Sequence, residues 1–436
     1  MRSSACTAES IEATGIVHDR SGTTLGLARA ASALILLMLP ISCGGLRVYT
    51  PPETERRFSN PGNLRKRTTR PLASRTDVDR AVLLPLVWLG EHQNEDGSWS
   101  VTGHVGRCMW AGPCPPSPGT DAVDVGVTGL ALLAFMGAGY SHFSGDGFFG
   151  IGFGDVVQNG LRYLILRQGP TGYIGTTGVT LHLFNHILAT HALTQAYAMT
   201  SGVFLKDPAQ SAVDALIQVQ MRDGGWGEVE GVSDSASTCW ALVALLSANV
   251  AGLRVDDECL RKGRKWIATR RDRSSGRVGY VQRGRDAAVI RGTNELAPSS
   301  PSLTAHATLV ELLLDRRLGT AWRETGEARQ ARDLLLKHMP HRGRHDMYYW
   351  FGSGLALLLL DGEESEGFMK WRAKVKEELL PMMKQGETCG FGSWDPEDKW
   401  SCIGGRVFVT AMGALALEVY HCYPNVIRGK RAGRDE

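Results

Sequence analysis

Three segments of this chain share one short phrase, and the phrase limits the folds that the chain can adopt. The segments are WLGEHQNEDGSW, YLILRQGPTGY and ALIQVQMRDGGW, which begin at Trp88, Tyr163 and Ala215. In each segment a glutamine is followed four residues later by a glycine, and an aromatic residue comes directly or one residue after that. One copy would mark only the end of a helix, but three copies in one register indicate an internal repeat.

The repeat can be followed almost to the end of the chain. The glutamines of the three copies are Gln93, Gln168 and Gln220; Arg271 takes the same place in WIATRRDRSSGRVGY, and Gln385 takes it before CGFGSW. One further helical pair, ARQARDLLLKHMP and MYYWFGSGLALLLL, fills the long interval between Arg271 and Gln385. Because the interval between neighbouring copies settles at about 50 residues, the pattern predicts six units.

Each unit is predicted to contain an amphipathic outer helix, a loop with glycine, and a more apolar inner helix. The inner helices carry apolar residues on most faces, which is typical of helices buried within a ring. Their predicted ranges are 125–136, 181–199, 235–248, 303–314, 347–360 and 406–421. One such hairpin cannot bury a core alone, so we expect the six to pack side by side. Two insertions, 101–121 and SHFSGDGFFGIGFGD, lengthen the first repeat interval.

The repeated phrase has a structural interpretation. Glycine permits the positive φ angle that ends a helix. The glutamine amide can bridge to unpaired backbone groups at the end of a neighbouring helix, and an aromatic ring over the amide would shield that bond. We therefore interpret the phrase as a staple between units and not as a reaction site.

The two ends of the chain are predicted to lie outside the repeats. Residues 1–45 contain an apolar run, 30–41, that suits a signal peptide better than a membrane span. The run ends in LPISC, in which Cys43 stands as in a bacterial lipoprotein cleavage box, so we expect an exported, membrane-anchored protein of the cell envelope; a plain cytoplasmic protein is the alternative. Residues 46–75 are expected to form a basic flexible linker and 424–436 a disordered tail. The net charge of +3 is too small to indicate nucleic-acid binding.

The phrase Gln-x3-Gly-x-Trp resembles the QW motif of squalene and oxidosqualene cyclases. The period of paired helices is similar to their six-fold α/α toroid, which the β subunits of protein prenyltransferases share. The likeness covers about residues 75–423, and GGRVFVTAMGALALEVYH looks like a terminal helix of bacterial squalene-cyclase-like repeat proteins. The resemblance implies an all-α fold, an (α/α)6 toroid over residues 76–423, which we expect to be a monomer.

The chemistry of the cyclases is not implied to the same degree. A class II terpene cyclase protonates its alkene with an Asp-x-Asp-Asp motif, in which neighbouring carboxylates keep one acid protonated. The chain has RTDVDR and RVDDEC, but no such tetrad. Aromatic residues that would stabilise carbocations are sparse on the predicted inner helices apart from MYYWF, which includes Tyr349. Cyclisation of squalene is therefore not expected.

The prenyltransferase likeness is closer in one segment. QMRDGGWGEVEGVSDSASTCW resembles their stretch that leads into Asp-x-Cys-x3-Trp: Asp234 and Trp240 match, whereas Ala236 stands at the metal-binding cysteine, and His306 would be the third ligand. A rearranged site of Asp234, Cys239 and His306 is one alternative. The other is that these are cap and core residues. Since the matching thiolate is missing, we predict no stoichiometric zinc in the purified protein and no cofactor.

Three further residues are candidates for ligand contacts. His182 and His186 lie four residues apart on an inner helix, beside Asn185, as either a hydrogen-bonded pair or a ligand-binding pair. Arg406, at the start of the last inner helix, can meet an anionic ligand or pair with Asp395 or Asp398. Together with the preceding residues, the candidates are Asp234, His306 and Arg406 for catalysis and His182, His186, Tyr349 and Trp240 for ligand binding.

Two functions of different classes remain open. The first is a ligand-binding or scaffold protein of the cell envelope, with an apolar or isoprenoid-like ligand as its possible partner. The second is an isoprenoid-processing enzyme, either a cyclase with a non-standard acid or a transferase with a non-standard metal site. Fold alone does not decide between them.

The expected state of the cysteines depends on the cellular compartment of the protein. Cys108 and Cys114 in CMWAGPC, and Cys389 and Cys402 around GFGSWDPEDKWS, are predicted to form two disulfides if the chain is exported. The alternative is a zinc knot in which these four thiolates hold one metal and join units one and six where the ring closes.

Overall fold

Six helical hairpins follow one another along the chain and close into a ring. The computed structural model describes residues 77–108, 112–179, 181–285, 301–386 and 388–421. The predicted leader, linker and tail and the predicted lipid site at Cys43 lie outside these residues. Within them the structure contains twelve α-helices and two short β-hairpins, so the predicted all-α toroid is confirmed.

The odd-numbered helices are the outer helices. They are α1 (Asp77–Glu91), α3 (Phe153–Leu166), α5 (Val203–Gln218), α7 (Asp257–Arg270), α9 (Gly326–Lys337) and α11 (Glu366–Leu379). The inner helices are α2 (Asp124–Gly137), α4 (His182–Thr200), α6 (Ser235–Val250), α8 (Ser302–Leu318), α10 (Met347–Asp361) and α12 (Ser401–Tyr420). Each inner helix packs on the next, and α12 packs on α1 and α2. Unit six therefore contacts unit one, as predicted for a closed ring.

The inner helices form the core because their sequences are apolar on almost every face. The side chains from Val127 to Met136 of α2 are all buried, and α12 is buried over most of its length. Helix α12 is also long and apolar enough to cross a membrane, but 89% of its most apolar window is buried within the ring, as expected for a core helix. The outer helices bury only one face against this core.

The last inner helix has a break that its sequence explains. Gly405 has φ +57° and ψ −154° inside α12, so the regular helix begins at Arg406, the predicted start. A Cβ atom on this glycine would lie 2.7 Å from Ser117 Oγ and 2.8 Å from the carbonyl oxygen of Pro118. Gly405 thus allows the loop of unit one to approach unit six closely.

The small strands all lie in loops. β1 (Gly147–Phe148) pairs with β2 (Ile151–Gly152) in the glycine-rich insertion, and β3 (Trp226–Val229) pairs with β4 (Val232–Asp234) before α6. Both pairs are antiparallel and two-stranded. The second hairpin ends at Asp234, which directly precedes the inner helix α6.

The repeated glutamines make the bonds expected of a staple. In each of the first three units the Nε2 atom donates to the glycine carbonyl of its own loop and to a carbonyl in the next outer helix. The second acceptors are Val156 in α3 for Gln93 (2.9 Å), Pro208 in α5 for Gln168 (2.9 Å) and Cys259 in α7 for Gln220 (3.0 Å). The tryptophan of the phrase donates to the end of the preceding outer helix, from Trp226 Nε1 to Leu216 O at 2.9 Å.

The two divergent copies of the phrase differ from this pattern. Arg271 donates to Gly276 O of its own loop at 3.0 Å, and its guanidinium lies over the Trp322 ring. Gln385 donates only within its own loop, to Met383 O at 3.3 Å, among the hydrogen bonds of the described residues. The glutamine bond between consecutive outer helices is therefore missing where unit six meets unit one.

Neither of the disulfides predicted for an exported chain is formed in the structure. Cys108, Cys114 and Cys389 all carry free thiols. Cys389 faces the loop of unit one, where its Sγ atom lies 3.3 Å from His92 Nε2, while the Sγ atom of Cys402 lies 3.3 Å from Lys399 O. The loop of unit six was expected to turn back between its own helices. Instead, its Cys389 contacts unit one where the ring closes.

Candidate functional site at the inner helix ends

The amino-terminal end of α6 places Asp234 between two units. Its side chain caps the helix, because Oδ1 accepts from Ser237 N at 2.8 Å and Oδ2 accepts from Ser237 Oγ at 2.8 Å. The β3–β4 pairing fixes the residue from the other side. Burial raises the pKa of Asp234 to about 6, against the opposing effect of these hydrogen bonds.

A neighbouring acid, Glu228, was not found from the sequence. Its side chain extends from β3 to the preceding inner helix, α4, and caps it: Phe184 N donates to Oε1 at 2.6 Å and Leu183 N to Oε2 at 3.2 Å. Burial, together with the charge of Asp234, raises the pKa of Glu228 to about 7. The sequence gives no signal for this residue. It lies in a short hairpin between two helices, where no repeating pattern of apolar residues indicates which side chains point inward.

Aromatic rings from three inner helices meet beside Asp234 and bring two predicted residues together. His306 of α8 stacks on Tyr348 of α10 with ring centroids 3.7 Å apart. Trp240 of α6 lies 5.8 Å from His306 and 6.5 Å from Phe351, nearly parallel to the latter. All four side chains are at most 7% exposed. We call Trp240, His306, Tyr348 and Phe351 the aromatic cluster.

A second pair of acids, Asp346 and Asp398, joins units five and six. Asp346 caps α10 by accepting from Tyr349 N at 3.0 Å; its Oδ2 atom accepts from Ser302 Oγ at 2.6 Å and pairs with Lys399 Nζ at 2.9 Å. Burial and the charge of Asp346 raise the pKa of Asp398 to about 7.

The Asp398 carboxyl is held by backbone donors from both units. Oδ2 accepts from Met347 N at 2.6 Å and Oδ1 from Trp400 N at 2.7 Å. From the sequence, Asp398 was a candidate only for pairing with Arg406. The spacing of residues along the chain does not indicate that Asp398 lies near Asp346.

The two histidines of α4 lie near the loop of unit two. Tyr173 OH is hydrogen-bonded to His182 Nδ1 at 2.7 Å. His186 is fully buried, accepts at Nδ1 from Ile174 N at 3.1 Å and stacks on the Tyr173 ring at 4.2 Å. Both therefore have the hydrogen-bonded arrangement that was one of the two alternatives.

Two candidates lie away from the aromatic cluster. Tyr349 is buried against the outer helix α9, where its OH donates to Leu335 O at 3.3 Å. Arg406 is 1% exposed and donates to Asp395 Oδ1 at 2.5 Å and to Ser393 Oγ at 2.9 Å. Of the two alternatives for Arg406, the structure shows the ion pair with Asp395.

The residues of the rearranged metal site use their polar atoms elsewhere. Asp234 caps its helix, His306 Nδ1–H donates to Ser302 O at 3.0 Å, and Cys239 is fully buried among apolar side chains. Within the part of the chain that the structure describes, one group of metal-ligating side chains converges, and it lies at the ring closure: His92, Cys108, Cys114 and Cys389.

The acids at the inner helix ends share one property. Both carboxyl oxygens of Asp234, Glu228, Asp346 and Asp398 accept hydrogen bonds from the protein. An oxygen that faces an N–H group cannot present its own proton to a substrate on the same side. The arrangement is suited to capping helices and joining units, and less suited to proton donation.

Comparison with known proteins is consistent with this fold. No family model matches the chain. It is 27% identical over 221 residues to a squalene–hopene cyclase of Bradyrhizobium diazoefficiens, which covers 45% of this chain and 30% of that protein. It is 27% identical over 215 residues to a terpene cyclase–glycosyl transferase fusion protein of Humicola fuscoatra, which covers 43% of this chain and 15% of that protein. The chain thus spans less than a third of either relative.

A solved structure shows the same architecture. The α-1,6-mannanase of Salegentibacter superposes with a TM-score of 0.56 at 12% identity, over 80% of this chain and all of that one. At this identity the likeness establishes the fold alone. With the two sequence relatives, it confirms the resemblance to the α/α toroids that include the squalene cyclases.

Proposed function

We propose that this squalene-cyclase-like α/α toroid is a binding or scaffold protein that does not cyclise its ligand. The proposal rests on the hydrogen bonds that the acids at the inner helix ends accept from the protein. In Asp234, Glu228, Asp346 and Asp398 both carboxyl oxygens are engaged as hydrogen-bond acceptors. Protonation of an alkene needs an acid whose proton points at the substrate.

The aromatic cluster supports the same proposal. A carbocation is stabilised by the face of an aromatic ring that is free to meet it. Here the faces of His306 and Tyr348 cover each other at 3.7 Å, and Trp240 lies alongside. The rings are therefore used to fill and hold together the inside of units three to five.

An apolar, isoprenoid-like molecule is the ligand class that the inner helices would suit. Phe184, Val243 and Leu358 are only partly buried although they lie on three of these helices and pack against the core. A ligand that covered such side chains would gain about 25 cal/mol for each Å² of apolar surface removed from water. Binding of this kind needs no acid.

The test is a titration of purified protein with squalene and with a prenyl alcohol, followed by extraction and product analysis. Val243→Asp should abolish saturable binding, whereas Val250→Asp, on the same helix but at a position 49% exposed, should leave binding intact. Recovery of unchanged ligand supports the proposal, and absence of binding by either compound restricts it to a scaffold. A cyclised or transferred product would overturn it.

One observation favours the isoprenoid-processing enzyme as a second candidate. The pKa values of Glu228 and Asp234, neighbouring acids of the β3–β4 hairpin, are raised by burial to about 7 and about 6. One of the two carboxyls is then protonated near neutral pH, as an acid catalyst must be. Product formation that Glu228→Gln and Asp234→Asn each abolish would favour this candidate.

We further propose that the protein is a monomer of the cell envelope, anchored through Cys43. The support is the sequence LPISC after an apolar run. Labelling of cells with a fatty-acid analogue should tag the protein but not a Cys43→Ser variant. Equal absence of label from both, with the protein in the cytoplasmic fraction, would contradict this location.

A further inference from the structure

Four side chains from two distant parts of the chain meet where the ring closes. His92, Cys108 and Cys114 belong to unit one, and Cys389 belongs to the loop of unit six. The ligand atoms of the four residues all lie within 4.8 Å of one another. We call these residues the closure cluster. We propose that the closure cluster binds one zinc ion, which fastens unit six to unit one.

The distances agree with tetrahedral coordination. From His92 Nε2 the sulfur atoms of Cys108, Cys114 and Cys389 lie at 3.6, 3.7 and 3.3 Å. In a tetrahedral site with zinc about 2.3 Å from sulfur and about 2.0 Å from nitrogen, the nitrogen and sulfur atoms are about 3.5 Å apart. The three nitrogen–sulfur distances therefore agree with those of a tetrahedral zinc site.

The imidazole is oriented for a metal by its other nitrogen. His92 Nδ1 lies 2.8 Å from Trp88 O, and since a carbonyl only accepts, Nδ1 carries the proton. This tautomer leaves the lone pair of Nε2 directed at the three sulfurs. Trp88 also stacks on the imidazole with centroids 4.2 Å apart, so the ring cannot turn away. A histidine that ligates a metal is usually held in this way by a backbone carbonyl or a carboxylate.

The loop that carries Cys108 and Cys114 is held in place by hydrogen bonds. Cys114 N donates to Cys108 Sγ at 3.3 Å. The same loop is joined to α12, because Arg406 donates its backbone N–H to Ser117 Oγ.

Packing and disulfide formation account less well for the cluster. Buried cysteines can serve as small apolar side chains, but that role does not require a fully buried histidine with three sulfurs around one nitrogen. A disulfide would join two of the three thiols and leave the third beside the imidazole. Three cysteines and one histidine with no open position are instead the ligand set of structural zinc sites. Soft thiolates favour zinc over magnesium or calcium.

The closure cluster differs in one residue from the zinc knot that the sequence allowed. Cys402 was expected to be the fourth ligand, but its Sγ atom bonds to Lys399 O, and His92 takes its place. His92 is adjacent to Gln93 of the repeated phrase, so the repeat pattern drew attention to the glutamine and not to the histidine.

The direct test is the metal content of the full chain purified without chelators. Elemental analysis should find one zinc per chain in the native protein and in Cys402→Ser, a control at a nearby cysteine outside the cluster. Cys389→Ser and His92→Ala should lose most of it. Replacement of the metal by Co²⁺ should give the intense visible absorption of tetrahedral cobalt with thiolate ligands. His92→Cys should keep one metal and shift the cobalt spectrum, which separates loss of a ligand from loss of the fold.

Three results would overturn the proposal. The first is native reduced protein that neither contains zinc nor gives the cobalt spectrum. The second is zinc retained equally in the native protein, Cys389→Ser and His92→Ala. The third is mass spectrometry that finds a disulfide between two members of the closure cluster in the protein as it is purified from cells.

Discussion

The Sγ atom of Cys389 in unit six lies 3.3 Å from Nε2 of His92 in unit one, across a separation of 297 residues. The contact lies at the junction where α12 packs on α1 and α2. In the first three units a glutamine joins consecutive outer helices, whereas Gln385 of unit six bonds within its own loop. The closure cluster therefore lies at a junction where the described residues show no glutamine bond between outer helices.

Loss of the Cys389 thiol is expected to loosen this junction first. Cys389→Ser removes one of the four members of the closure cluster, so α1 and α12 should open more often while α4, α6 and α8 keep their neighbours. Hydrogen exchange measured by mass spectrometry should show faster exchange in α1 and α12 only. Cys402→Ser should exchange like the native protein. Equally faster hydrogen exchange in all helices would show that the junction does not open independently of the rest of the ring.

Replacement of a stapling glutamine should cost more than replacement of Gln385. Gln220→Ala removes two hydrogen bonds, to the carbonyls of Gly224 and Cys259, and each such bond contributes about 0.5–1.5 kcal/mol. Gln385→Ala removes one bond of 3.3 Å within a loop and should cost well under that amount. Chemical denaturation of both variants measures the difference. Equal losses would mean that the bond to the next outer helix adds nothing.

The staples and the ring could be predicted because their signals are local and repeated. Gln93, Gln168 and Gln220 recur with the same neighbours, and apolar faces mark the inner helices. The pairs that meet across units have no such signal. Asp346 approaches Asp398, and Cys389 approaches His92, only because hairpins from different units place their loops at one end of the ring. Contacts of this kind follow from the closed fold and not from spacing.

A glycine beside the aromatic cluster is expected to be essential to its packing. A Cβ atom on Gly352 in α10 would lie 2.4 Å from His306 Cε1. Gly352→Ala should therefore displace the histidine from Tyr348 and lower the free energy of unfolding by about 1–3 kcal/mol. Gly326→Ala in α9, where nothing lies within 4 Å of the added atom, is the matched control. A Gly352→Ala variant as stable as that control would contradict the tight packing of the cluster.

The raised pKa of Glu228 predicts how stability changes with pH. Burial raises this pKa from 4.5 to about 7, so the folded chain keeps a proton that the unfolded chain releases. Stability from this group is fully present below about pH 4.5 and is lost as the pH rises to about 7. Over that range the native protein should lose free energy of unfolding relative to Glu228→Gln. Denaturation curves for both proteins at several pH values give the comparison; parallel curves would exclude the shift.

The most direct measurement is the transfer of a solvent proton to an isoprenoid. Purified protein is incubated with squalene in D₂O, beside a squalene–hopene cyclase as the positive control, and the extracted lipid is analysed by mass spectrometry. Because both oxygens of Asp234 and Asp398 face donors in the protein, the account predicts squalene without deuterium. A deuterium-labelled cyclic product that disappears in Asp234→Asn or Asp398→Asn would contradict it.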